Sequence, residues 1–204
     1  MMKKLFYALC SLCIVLAPLC AGENNEKHFS LLFGGGVGSF KMDDGRFLMV
    51  YSNRSMTRHG FFALGDSRTY LIGKYRLFDA TGKSELTNIN VTGFSEWREI
   101  FYSAGFRLTV PHSPFYADVS YVIIKAEEKI STVQPVVNEL TTSQKIENRG
   151  LSFGGGLAIE ILSPFAIYGE GEYTFMLQKV QNDKKRDLPG IGGWNISTGI
   201  IFIF

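Results

Sequence analysis

Along the last stretch of the chain, Trp194 to Phe204, apolar and small polar residues alternate. Trp194, Ile196, Thr198, Ile200, Phe202 and Phe204 fall on one side of an extended backbone, and Asn195, Ser197, Gly199, Ile201 and Ile203 on the other. At about 3.3 Å per residue and a tilt of about 45°, Trp194 stands roughly 23 Å above Phe204, close to the height of the apolar band of a transmembrane barrel. The period of two returns in seven earlier segments. From His28 to Phe40, the set Phe29, Leu31, Phe33, Gly35, Val37 and Ser39 alternates with the smaller set Ser30, Leu32, Gly34, Gly36, Gly38 and Phe40, which suits a crowded interior. Arg68 to Phe78 turns Leu71, Tyr75 and Leu77 outward and Lys74 and Arg76 inward. Glu85 to Phe94 shows the weakest apolar face. Glu99 to Val110, Phe115 to Lys125, Leu151 to Ile161 and Phe165 to Leu177 complete the set, each with bulky apolar residues on one side.

The connections alternate in length. Asp79 to Lys83, Pro111 to Pro114 and Leu162 to Pro164 read as short turns, whereas Met42 to Ser67, Glu127 to Asn148 and Gln181 to Pro189 read as long polar loops. The pattern predicts an all-β chain: an eight-stranded antiparallel transmembrane up-and-down barrel, with ten strands if both halves of Met42 to Ser67 enter the membrane. Beyond residue 22 no apolar stretch approaches the roughly 20 residues of a membrane-spanning helix, so a membrane location requires a closed barrel.

The alternation, the short and long connections and the aromatic terminus together resemble the small eight-stranded outer-membrane barrels of Gram-negative bacteria, of the OmpA and OmpX kind. The resemblance implies outer-membrane lipid and the barrel assembly machinery as partners, with Phe202 and Phe204 as the insertion signal.

Composition narrows the picture. Met-Met-Lys-Lys, the apolar run Leu5 to Cys20 and the small residues Ala21 and Gly22 form a secretory signal peptide, leaving residues 23–204 as the barrel domain. All three cysteines fall in that signal, so the mature chain holds no disulfide and no thiol nucleophile. Without Lys3 and Lys4, 21 − 2 = 19 basic residues face 19 acidic ones, which argues against a nucleic-acid partner.

The inward sets concentrate charge: Lys74, Arg76 and Arg107 with Glu99, Asp118, Glu160, Glu170 and Glu172. An eight-stranded lumen is only wide enough for side chains, so these groups should pair as a plug of salt bridges rather than form an ion path or an acid/base pair such as Glu170 with Glu172. His28, His59 and His112 are dispersed, His112-Ser113 sits in a proline-flanked turn, and His59 with Asp66 is thin support for a protease. No ligand spacing suggests a metal or cofactor. Phe47 to Tyr51 and Gly60-Phe61-Phe62 put apolar residues in the long first loop, as an adhesive patch or as strand extensions. The sequence therefore reads as a non-enzymatic outer-membrane protein acting through its loops in surface interaction, adhesion or envelope integrity, with a host or envelope protein as a possible partner. A narrow porin-like channel and a lipid A modifying enzyme are the alternatives.

Overall fold

A computed structural model describes residues 30–43, 47, 51, 55–66, 68–86, 91–133, 140–178 and 192–204. The signal segment 1–22, His28 and the Gln181 to Pro189 loop lie outside the described residues. Eight strands form in chain order: β1 Ser30–Met42, β2 Ser55–Gly65, β3 Thr69–Leu86, β4 Val91–Thr109, β5 Phe115–Val133, β6 Leu140–Leu162, β7 Phe165–Gln178 and β8 Gly193–Ile203. Each pairs antiparallel with the next, and β8 closes on β1 from Leu32↔Ile203 to Met42↔Gly193. Closure gives every strand two neighbours, which satisfies the backbone polar groups without water.

The strand count is eight, but two boundaries differ from the sequence reading. β2 occupies the second half of the segment expected as a loop. Its outward row, Met56, Arg58, Gly60, Phe62 and Leu64, contains an arginine and a glycine, which hid the alternation. β3 runs straight through Asp79-Ala80-Thr81-Gly82, where a turn was expected. Asp79 points outward there and meets Arg98 Nε at 2.9 Å, while Ala80 packs inward, so the turn-forming residues are absorbed by the strand pair. The expected strand Glu85 to Phe94 is the top of β3 and the start of β4, on either side of residues 87–90. One strand missed and one invented leave the total unchanged, but Thr69 to Phe78 runs in the opposite direction to that expected.

The connections at 66–68, 110–114 and 163–164 lie at one end, and residues 87–90 join β3 to β4 at the other. Asp66 builds the first, its Oδ1 accepting the backbone N–H groups of Arg68 and Thr69 at 2.9 Å each. At the other end β3 to β6 continue well beyond their neighbours. They are 18 to 23 residues long against 11 to 14 for the remaining strands, and they absorb most of the loop expected at Glu127 to Asn148.

Outward positions form an apolar band that includes Leu71, Phe106, Val119, Phe153, Ile167 and Ile200. Rings mark both borders. At the short-turn end Phe165 meets Phe202 at 5.0 Å and Phe33 meets Phe204 at 6.4 Å; at the other, Tyr173 meets Trp194 at 4.9 Å and Tyr75 meets Tyr102 at 5.4 Å. Inside, one apolar cluster with Leu32, Phe61, Tyr70, Ile72, Tyr168 and Ile201 fills the short-turn end. A second, with Phe40, Met42, Phe78, Trp97, Phe101 and Ile124, fills the long-connection end. Phe47 and Tyr51, expected as exposed patch residues, belong to this second cluster: their rings stack at 4.5 Å and Phe47 meets Trp97 edge-on at 5.3 Å. Gly60, Phe61 and Phe62 sit in β2 rather than in a loop.

Gly34 makes room for this packing, because a Cβ there would lie 2.3 Å from the Phe61 ring. That ring is held between Tyr168, 5.5 Å away, and the Arg107 guanidinium, 4.9 Å away. Gly34→Ala should therefore destabilise the folded barrel by about 1–3 kcal/mol, the usual range for overpacking a filled interior. Urea unfolding in detergent measures it, and the loss should shrink when Phe61 is also replaced by Leu.

Candidate functional site

Inward positions of β3, β4, β5 and β7 converge at mid-height, where the two apolar clusters leave a polar layer between them. Strand alternation delivers Lys74 and Arg76 from β3, Arg107 from β4, Asp118 from β5, and Glu170 and Glu172 from β7. Lys74 Nζ reaches Asp118 at 2.8 Å, Glu170 at 2.5 Å and Glu172 at 3.0 Å. Arg107 donates Nε and Nη2 to the two oxygens of Asp118, both at 2.8 Å, and Nη2 also to Glu170 at 2.9 Å. Arg76 Nη1 meets Glu172 at 3.1 Å, and the Tyr116 hydroxyl donates to Glu170 at 3.0 Å. Three cations thus face three carboxylates, and every member is buried.

Aromatic rings hold the two guanidinium groups from both sides. Arg76 lies 4.7 Å from the Phe40 ring centroid and 4.0 Å from that of Phe101; Arg107 lies 4.9 Å from Phe61 and 3.8 Å from Tyr116. Sandwiching a desolvated guanidinium this way contributes up to about 2 kcal/mol per contact. The fork of Arg107 is set with Nε and Nη2 on carboxylates, whereas Arg76 reaches its carboxylate through Nη1 alone.

Six of the eight charged residues singled out from the sequence are therefore in one network. Glu99 is not among their direct partners: it is fully buried higher in the barrel, with the Arg76 charge and the Trp97 indole as its polar neighbours. Glu160 is exposed near the short-turn mouth, because β6 carries it past the end of the filled lumen, and it takes no part in the network. Sequence reading missed Tyr116, although it shares the inward parity of Asp118, and it missed the ring partners Phe40, Phe61 and Phe101. It also left His59 in a loop. β2 turns His59 inward, opposite Gly36 and Arg76, and hydrogen-bonds it to the Tyr168 hydroxyl.

The arrangement offers little for acyl transfer. Ser113 Oγ accepts the Phe115 backbone N–H at 3.3 Å, His112 is exposed in the same turn, and His59 and Asp66 lie at separate levels. Glu170 and Glu172 share a face, but both are committed to Lys74. Among the described residues no group of His, Cys, Asp and Glu has the geometry of a metal site.

Lys74 is the hub, since it alone touches all three carboxylates. Replacing it by Met strands three buried anions against two cations, and stability should fall by about 3–5 kcal/mol. Adding Glu170→Gln, which leaves Asp118 for Arg107 and Glu172 for Arg76, should recover a large part of the loss, as read by Trp fluorescence during urea unfolding. Equal stability of Lys74→Met and the parent would rule out the hub role.

No protein-family model and no curated protein matches the chain. Solved structures do. Ail, the attachment invasion locus protein of Yersinia pestis, aligns with a TM-score of 0.52 at 14% identity, over 88% of this chain and 100% of that one. The N-terminal β-barrel domain of Pseudomonas aeruginosa OprF gives a TM-score of 0.44 at 13% identity, over 88% and 100%. A major outer membrane protein from Thermus thermophilus gives 0.47 at 10% identity, over 87% and 100%. At such identities the likeness concerns architecture: the chain has the closed, all-antiparallel eight-stranded barrel fold of small outer-membrane proteins.

Proposed function

We propose that the protein is exported through its segment 1–22, resides in the bacterial outer membrane and acts, without enzymatic activity, through the surface formed by its long-connection end. Surface interaction, adhesion or envelope integrity is the role, with a host or envelope protein as the partner. The observation that carries this reading is the filling of the lumen in three layers: an apolar cluster at each mouth and the Lys74 network between them. A barrel filled in this way has no solute path, so its working surface is external. The apolar band bordered by aromatic rings supports a bilayer location. Phe202 and Phe204, both exposed at the short-turn end, are the residues the assembly machinery would read.

No interior observation favours the channel or the lipid A modifying alternative. The purified protein should show a different gel mobility before and after boiling, give no conductance steps in planar bilayers, and leave the lipid A mass spectrum of expressing cells unchanged. Stepwise conductance would overturn the closed lumen, and recovery of the protein from the soluble periplasm would overturn the membrane location.

A further inference from the structure

The outward face of the protruding sheet changes character abruptly. Below, Tyr102 faces Ile123, and the Tyr75–Tyr102 ring pair marks the headgroup level. One row higher Ile100 faces Lys125, which faces Glu147; in the next row Arg98 faces Glu127, which faces Lys145. The residues of these two upper rows line one groove, in which Ile100 is the half-exposed apolar member. Arg98 is held by Asp79, and Glu147 by Arg149 at 3.5 Å from its position just below the groove. Lys125 and Lys145 are both exposed, and neither forms an ion pair with a carboxylate among the described residues.

We propose that this groove seats the phosphate-bearing headgroup of an outer-leaflet lipid. The ammonium groups of Lys125 and Lys145 and the Arg98 guanidinium hold the phosphate, and the acyl chains descend along Ile100 and Ile123. The proposal rests on the membrane reading given above. With the flanking partners included, four cations (Arg98, Lys125, Lys145 and Arg149) face three carboxylates (Asp79, Glu127 and Glu147), and the two lysines carry the unpaired positive charge, so the charge favours an anion. Ile100 in the groove, continued one row down by Tyr102 and Ile123, favours an anion that carries hydrocarbon; a free anion gains nothing from Ile100.

The test uses the full mature chain inserted in vesicles of neutral phospholipid doped with phosphorylated lipid A or with the same lipid A after phosphatase treatment. Native mass spectrometry counts the lipid retained. The parent should retain the phosphorylated form selectively. K125Q/K145Q should lower that retention roughly thirtyfold, about fivefold for each surface cation lost. K41Q, an exposed lysine on β1 away from the groove, should change it little. Equal retention by the parent and the double variant overturns the proposal. So does competition by inorganic phosphate as effective as that by the lipid, which would leave an anion site with no lipid specificity. Protease protection of the inserted parent is scored first. Failure to insert overturns the membrane reading and this site with it, whereas insertion without lipid selectivity overturns this site alone.

Discussion

The first constraint on this barrel is the pairing of backbone N–H and C=O groups on both sides of every strand. A single open edge in hydrocarbon would leave a row of such groups unsatisfied, at several kcal/mol each. The β1–β8 seam meets that constraint along its whole length, from Leu32↔Ile203 to Met42↔Gly193. It brings the glycine-rich β1 against β8, where Gly36 faces Gly199. A Cβ at either glycine would fall within 2.1 Å of the partner backbone, so the seam closes tightly because both positions lack side chains.

Closure with eight strands then fixes what the interior can hold. The lumen has room for side chains and little else. Charges placed there cannot be solvated by bulk water, and each needs partners in the neighbouring strands or across the lumen. Lys74 and the two ring-stacked arginines meet that demand with three carboxylates from β5 and β7. Apolar clusters above and below keep the layer dry, which strengthens each pair and raises the cost of leaving any member alone. The same side chains that stabilise the wall fill the lumen.

The two ends differ because only one of them extends. Short turns cut the strands off at the apolar border, whereas β3 to β6 continue past it with charged outward residues and an apolar interior. The Asp79–Arg98 ion pair lies on the wet face of that extension, in a cross-strand row continued by Glu127 and Lys145. Trp97, Phe47 and Tyr51 fill its inner face, and the Tyr51 hydroxyl donates to the buried Glu128 at 2.8 Å. Residues that read as loop-borne and exposed are thereby core.

By itself the sequence determined the fold class and most of the facing of the strands, because period-two alternation depends only on backbone geometry and on which side meets lipid. Lys74, Arg76, Arg107, Asp118, Glu170 and Glu172 were all legible as inward from their neighbours' parity. The tertiary structure decided where strands end and which charges meet. A turn at Asp79 to Gly82 is as good locally as a continued strand; the ladder with β4, unbroken from Asp79↔Arg98 to Leu86↔Val91, and the burial of Ala80 decide for the strand. The strand at Ser55 to Gly65 carries too irregular an outward row to be seen alone, yet pairing with β1 and β3 defines it. Glu160 shares the inward parity of the network, but height along the barrel, set by strand register, leaves it in solvent. Alternation tells which way a side chain points; how far up the barrel it sits, and what stands opposite, depends on the neighbouring strands.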